Sequence, residues 1–152
     1  MPKHDIIEFL VKARTATYAG ASGKSEPAFK QSFQLEYKDK DWFYRDVYNN
    51  GNGIFVGFET IYYKENVVWS MSYFGNYKKL SEEEVDKILR KSLVAKKDTT
   101  RLWNNVSFAS GMYEYRCEGY GDINELGGTE KILKEGKEVY LFYYAGGVIA
   151  NL

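Results

Sequence analysis

The sequence predicts one α+β domain in which two helices pack on one face of a curled antiparallel sheet. Two segments have the periodicity of amphipathic helices, and eight segments rich in aromatic and β-branched residues have the length of strands. Each helix precedes a group of four such segments, which predicts an internally duplicated unit with pseudo-twofold symmetry. The 152 residues suit a single domain, with repeat one at about 5–77 and repeat two at about 81–147.

The first half begins with a helix predicted at residues 5–17. Ile6, Phe9, Leu10 and Ala13 recur there at spacings of three and four and form one apolar face. A loop is predicted at 20–27 because small and helix-breaking residues collect there. Strands follow at the segments 32–37, 42–48, 54–63 and 67–75, which are separated by turn-forming residues.

The second half begins with a helix predicted at residues 81–93. Ser81 is a favourable N-cap, and Glu84, three positions later, completes a capping box. Acidic residues lie in its first turn and basic residues near its end, as the helix dipole favours. Strands are predicted at 105–109, 112–118, 126–133 and 138–145, with a tight hairpin turn at Glu135 and Gly136.

A constant offset relates the strands of the two halves. Tyr44 and Tyr115 are separated by 71 positions (115 − 44 = 71), and residues 44–75 align with 115–146 without a gap. Eight of these positions are identical, more than chance would give in a tyrosine-rich chain. The other identical pairs are Arg45/Arg116, Gly57/Gly128, Glu59/Glu130, Ile61/Ile132, Val68/Val139, Tyr73/Tyr144 and Gly75/Gly146.

Composition argues against several classes of function. Lysine plus arginine and aspartate plus glutamate both number 21, so the chain lacks the basic excess of a nucleic-acid binder. His4 is the sole histidine and Cys117 the sole cysteine, so we expect no metal site, no cofactor and no histidine-based catalytic residues. No apolar stretch suits a signal peptide or a membrane span, and we expect a cytoplasmic protein with no membrane contact.

Two short motifs suggest phosphate binding and a catalytic thiol, but each has a simpler structural explanation. Gly23, Lys24 and Ser25 resemble the end of a phosphate-binding loop, but Tyr18 stands where that motif needs glycine, and a helix precedes it instead of a strand. Cys117 lies in a strand pattern without a basic partner, which favours a structural thiol over a nucleophile.

The repeat retains a set of residues suited to ligand binding. A carboxylate surrounded by rings is a means of recognising a cation. The candidate ligand-binding residues are Trp42, Tyr44, Glu59, Trp69, Met71, Tyr73, Glu130, Tyr140 and Tyr144. If the strands at 42–48 and 54–63 form a hairpin, Arg45 would lie nearly opposite Glu59, and the pair would be a cross-strand ion pair, as would Arg116 with Glu130. Both interpretations of the glutamates remain open.

The number of aromatic strand residues raises a second question. At 17% aromatic content, the chain has more rings than two short helices can cover on both faces of a sheet. We therefore expect an uncovered ring-rich surface that either lines a cavity, with Glu59 or Glu130 in its wall, or meets a second subunit in a homodimer.

The chain resembles a bacterial family of domains of unknown function. The resemblance covers nearly all of it and rests on Phe9-Leu10, Val68-Trp69-Ser70-Met71, Tyr115-Arg116-Cys117 and Tyr144-x-Gly146-Gly147. Members often follow a helix-turn-helix domain, which implies an effector or sensing role. Here the first helix starts at about residue 5, so DNA binding is not carried over. The duplicated layout is also similar to the gyrase-inhibitor-like effector-binding fold.

Three functions follow from these observations. The favoured hypothesis is a small-molecule binding domain for a flat or cationic ligand. The alternatives are a small hydrolase that uses a glutamate as base and a tyrosine as acid, and a dimerising interaction module without ligand. Bound ligand, turnover and mass in solution would distinguish them.

Overall fold

The computed structural model describes residues 2–151, which form two helices and nine strands. The first half contains α1 (Lys3–Ala16), β1 (Lys24–Ser25), β2 (Phe33–Asp39), β3 (Trp42–Gly51), β4 (Ile54–Tyr63) and β5 (Asn66–Asn76). The second half contains α2 (Glu82–Ala95), β6 (Asn105–Ser110), β7 (Tyr113–Asp122), β8 (Glu125–Lys134) and β9 (Lys137–Val148). The α+β class is confirmed, although strands dominate.

All nine strands join one antiparallel sheet in the order β1-β2-β3-β4-β5-β9-β8-β7-β6. Each half is thus a meander, and the two meanders meet where β5 pairs with β9 at the centre of the sheet. Tyr73 pairs with Tyr144 at this junction, and on either side of it Met71 pairs with Gly146 and Gly75 with Phe142.

Strand registers agree between the halves. Tyr44 pairs with Ile61 in the β3–β4 hairpin, and Tyr115 pairs with Ile132, 71 positions later, in β7–β8. Each half also has one register shift, after Ile61 and after Ile132 respectively.

Both helices lie on the same face of the sheet and form the core with it. Alternate strand residues point to this face, where Trp69, Met71, Tyr140 and Phe142 are almost completely buried. The apolar stripe of α1 (Ile6, Phe9, Leu10, Ala13) and that of α2 (Val85, Ile88, Leu89, Leu93) join the same cluster. Among residues 2–151, no helix covers the opposite face.

Helix α2 begins as its sequence predicts. The Ser81 hydroxyl accepts a hydrogen bond from the Glu84 amide at 3.1 Å, so Ser81 is the N-cap. The Glu84 side chain does not complete the capping box: its carboxylate accepts hydrogen bonds from the Tyr113 hydroxyl and from Lys134. Glu84 therefore links α2 to β7 and β8.

Most strand boundaries lie close to those predicted, and one difference has a clear cause. Lys24 and Ser25, predicted as loop, pair with Leu35 and Gln34 as a short edge strand. The hairpin turn at Glu135 and Gly136 is confirmed, with φ of 50° and 79°, the left-handed backbone that a two-residue turn requires. Within residues 2–151, no helix is long and apolar enough to span a bilayer.

Candidate functional site

A cavity of about 70 Å³ lies between α2 and the first-half strands β3, β4 and β5. Its wall combines five aromatic rings with three carboxylates and two guanidinium groups. The lining residues are Tyr18, Asp46, Tyr48, Asn50, Phe55, Tyr73, Tyr77, Glu82, Val85, Asp86, Leu89, Arg90 and Arg101. It thus joins polar groups to an apolar surround, as ligand sites do.

Strand alternation brings these side chains together. Asp46, Tyr48 and Asn50 occupy every second position of β3 and point toward the helices. Phe55 on β4 lies over Gly75 of the neighbouring strand, where a Cβ atom would come within 2.2 Å of its ring. Glycine at position 75 therefore gives the Phe55 ring its place in the wall.

Asp46 is the most unusual group in the cavity. It is only 7% exposed, and its carboxylate accepts a hydrogen bond from the Tyr73 hydroxyl at 2.5 Å. Burial, followed by the nearby Glu59 carboxylate, raises the pKa of Asp46 to about 7. The Tyr73 bond and the two buried arginines oppose this rise. Asp46 therefore changes charge near neutral pH.

Glu59 has a dedicated cationic partner in Arg14 of α1. The guanidinium Nε donates to Glu59 Oε2 at 2.9 Å, and a second nitrogen donates to Oε1 at 3.2 Å. Both side chains are largely buried, so this two-bond geometry offsets the loss of hydration.

Glu130 has a matching partner in Arg101, which follows α2. Two hydrogen bonds of 2.9 Å join them, and the hydroxyls of Tyr115 and Tyr140 also donate to Glu130. The guanidinium of Arg101 lies 4.4 Å from the centre of the Phe142 ring. The charges of Glu130 and Arg101 therefore balance each other within the second half.

Asp46 is left without such compensation. It lies directly across from Glu59 in the β3–β4 ladder, so two carboxylates are neighbours on the buried face. Within residues 2–151, no lysine, arginine or histidine forms an ion pair with Asp46, since Arg14 and Arg101 bind Glu59 and Glu130. An unpaired acid is costly to bury in its charged form.

The second half has Cys117 at the corresponding position (117 − 46 = 71), so it buries no second carboxylate beside Glu130. Cys117 faces Glu130 as Asp46 faces Glu59, and the Tyr144 hydroxyl lies 3.3 Å from its sulfur. The matching frameworks thus hold a neutral thiol in one half and an acid in the other.

Cationic and aromatic groups also meet at the edge of the cavity. The guanidinium of Arg90 lies 4.9 Å from the centre of the Tyr18 ring and 3.7 Å from Asp86. Tyr18 donates to Asp86 at 2.7 Å, and burial raises the pKa of its phenol well above the usual value. Burial likewise raises the pKa of Tyr73, so both phenols remain hydrogen-bond donors at neutral pH.

The structure distributes the nine residues predicted to bind ligand over three environments. Tyr73 alone lines the cavity described above. Tyr44 and Glu59 line a smaller adjoining space of about 20 Å³ that also contacts Asp46. The remaining residues pack in or against the core: Trp42, Trp69, Met71, Glu130, Tyr140 and Tyr144. Neither Glu59 nor Glu130 lies in the wall of the α2–β3–β5 cavity, and each is held by an arginine.

The predicted ion pairs between neighbouring strands are wrong. Arg45 pairs with Glu36 at 3.2 Å and Arg116 with Glu114 at 2.8 Å. The hairpin register places Arg45 opposite Thr60, so Arg45 and Glu59 point to opposite faces of the sheet. A shift of one residue from the assumed pairing accounts for the error.

Sequence reasoning missed Asp46, Arg14 and Arg101. The arginines lie outside the gapless alignment of residues 44–75 with 115–146. They are 87 positions apart (101 − 14 = 87), so the 71-residue offset did not relate them. Asp46 had a usable signal: it interrupts a run of shared residues after Tyr44 and Arg45, where the second half has cysteine.

Comparison with known proteins identifies a family but no characterised relative. Residues 46–149 match the family described as Domain of unknown function (DUF5680), and the chain belongs to this family. No curated protein and no solved structure matches the chain.

Proposed function

We propose that this member of the DUF5680 family is an effector-binding domain that takes a small cationic ligand in the cavity between α2 and strands β3–β5. The observation that carries the proposal is Asp46: a buried carboxylate in a ring-lined cavity, with a tyrosine hydroxyl but no cation as its partner. A ligand cation would provide the positive partner that the Asp46 carboxylate lacks.

The surroundings of Asp46 suit an ammonium group. Tyr48, Phe55 and Tyr77 add aromatic surface, which attracts cations through the ring quadrupole. Glu82 adds negative charge to the same wall, whereas Asp86 is paired with Arg90 and Arg101 with Glu130. The neighbouring Glu59 carboxylate disfavours a second negative charge at Asp46, and a bound cation would relieve this repulsion.

Size narrows the ligand class. A volume of about 70 Å³ accommodates several water molecules or the head of a small alkylammonium ion. A flat multi-ring ligand would need the helix to move. We therefore favour a compact primary or quaternary amine over a planar dye.

The two halves supply a rationale for a single site. We propose that they descend from one duplicated unit, as the shared registers and the 71-residue offset suggest. Under this proposal the second half is the scaffold, with charge balanced by Arg101, and the first half carries the ligand-binding acid.

Titration calorimetry with simple amines tests the proposal. Tetramethylammonium, choline and short alkylamines should bind at pH 8, whereas the uncharged carbon isostere of choline should not. Asp46→Asn keeps the acceptor for Tyr73 but removes the charge, and binding should weaken at least ~100-fold, the effect of removing one partner of a buried charge pair.

Asp122→Asn is the matched control, because Asp122 is exposed at the end of β7 and does not line the cavity. It should bind amines as the unaltered protein does. Equal binding of the charged probe and its neutral isostere, or binding unaffected by Asp46→Asn, would contradict a cation site at Asp46.

A further inference from the structure

The face of the sheet opposite the helices carries exposed apolar side chains in two neighbouring rows across the strands. Val56, Phe58, Tyr120 and Tyr143 are 49%, 44%, 61% and 51% exposed. All four share strand parity with Phe74 and point away from the core. Contiguous apolar surface of this kind marks an interaction site.

The two halves of this open face have different relief. Three bulky residues of the first half, Val56, Phe58 and Phe74, correspond by the 71-residue offset to small residues of the second half, which are Gly127, Thr129 and Ala145. The first half is therefore raised at these three positions. A groove of about 630 Å³ lies beside them, with Val56 and Phe74 on its first-half side and Tyr120 and Tyr143 on its second-half side.

We propose that the open face binds a second copy of this chain, face to face, about a twofold axis that runs parallel to the strands between β5 and β9. Such an axis places the bulky β4 residues of each copy over the small β8 residues of the other. Strand β4 then crosses the partner's β8, and β3 crosses the partner's β7, since these strands are equally far from the centre. Aligned packing of two sheets is the common geometry of β-sandwiches.

The registers pair large residues with small ones where β4 faces the partner's β8, and they pair two aromatic rings at the centre. Phe58, Ser72, Ala145 and Gly127 form one continuous row across β4, β5, β9 and β8. The axis reverses this row in the partner, so Phe58 meets the partner's Gly127. In the neighbouring row, Val56 meets the partner's Thr129 in the same way, and Phe74 meets the partner's Tyr143.

Charge is complementary at one border of the patch. Arg45 lies on the open face of β3, two positions beyond the apolar row that contains Phe58. Across the axis the same level of the second half carries Asp122 and Glu125, which are paired in the β7–β8 ladder. Each Arg45, which also pairs with Glu36 of its own chain at 3.2 Å, would therefore face two acidic groups of the other copy.

The area is adequate for a stable dimer. Five strands about 4.8 Å apart and four rows of side chains about 6.8 Å apart cover roughly 650 Å² on each copy, with β3 left out because its Val47 is already buried. The total of about 1,300 Å² lies within the range of about 1,200–2,000 Å² that stable protein–protein interfaces bury. Isologous twofold dimers are also the commonest protein assemblies.

Sedimentation velocity of the full chain at about 1–100 µM tests the proposal, with dimer expected. Phe58→Glu places a charge in the partner's groove and should raise the dimer dissociation constant on the order of 100-fold. Val94→Glu is the matched control: Val94 is 48% exposed, but it lies on α2, on the other side of the sheet. It should leave the dissociation constant unchanged.

A charge-exchange experiment tests the orientation. Arg45→Glu and Glu125→Arg should each weaken the homodimer, whereas an equimolar mixture of the two variants should form a heterodimer close to the original strength. Within one chain the two residues are four strands apart, about 19 Å, so any rescue must occur between copies.

The outcomes are decisive in either direction. A protein that stays monomeric throughout this concentration range would overturn the proposal, as would a dimer insensitive to Phe58→Glu. A dimer that Phe58→Glu weakens but that the mixed variants do not restore would refute the twofold arrangement described here. Circular dichroism of each variant shows whether a loss of dimer reflects unfolding.

Discussion

Asp46→Asn should stabilise the protein, and more so as the pH rises. The pKa of Asp46 is raised to about 7 in the folded protein, mainly by burial and by Glu59. It is about 3.9 in an unfolded chain. The folded state therefore binds the proton more tightly, and ionisation of Asp46 removes stability as pH rises from about 4 through 7. Asparagine remains neutral and can still accept the Tyr73 hydrogen bond.

The size of the effect follows from the two pKa values. For a single group titrating at about 7 when folded and 3.9 when unfolded, linkage gives a loss of roughly 2–3 kcal/mol between pH 5 and pH 8. The free-energy advantage of Asp46→Asn over the unaltered protein should widen by this amount across the same interval. Groups that titrate identically in both proteins cancel in the difference.

Urea unfolding at a series of pH values from about 5 to 8 measures this difference. Asp122→Asn serves as the control, because hydrogen bonds from Asn124 lower the pKa of exposed Asp122. Its stabilising effect is complete above the unfolded pKa, so its difference from the unaltered protein should stay flat over this range. An Asp46→Asn advantage that is absent or independent of pH would show that the carboxylate is compensated, and the argument for an unpaired acid would fail.

Two further predictions concern the scaffold. Arg14→Met leaves Glu59 buried beside Asp46 without its cation and should cost about 3–5 kcal/mol; adding Glu59→Gln should recover most of this loss, and chemical denaturation that shows strictly additive losses would contradict the pairing. Ser81→Ala removes the hydroxyl that caps α2 and should cost about 1 kcal/mol, whereas an unchanged melting temperature would show that the cap contributes nothing.

The elements of the fold could be predicted because their local signals were strong. The α2 segment combines an N-cap at Ser81 with a clear apolar stripe, and the hairpin at Glu135 and Gly136 has residues suited to its turn. The edge strand at Lys24 and Ser25 has no such local signal, since it exists only through pairing with β2. Edge pairing of this kind depends on tertiary contacts.

The site was harder to predict from the sequence, because it depends on strand register and on residues far apart in the chain. A one-residue error in pairing exchanged the faces of Arg45 and Glu59 and suggested an ion pair that does not form. The true partner, Arg14, is 45 positions from Glu59 and comes from a helix, so no strand pattern connects them. Asp46 lies on β3 and meets α2 only through tertiary packing, so no local sequence pattern indicates the cavity.

The stability lost when buried Asp46 ionises is itself an argument that its charge has a function. A neutral residue would serve the fold at this position, as Cys117 does at the corresponding position beside Glu130. An acid that lowers stability near neutral pH persists more readily where its charge is needed. Because binding and ionisation are linked, a cation that favours charged Asp46 lowers the pKa of this carboxyl and stabilises the folded protein. The free energy lost on ionisation and the free energy gained on binding a cation therefore both depend on the charge of this one carboxylate.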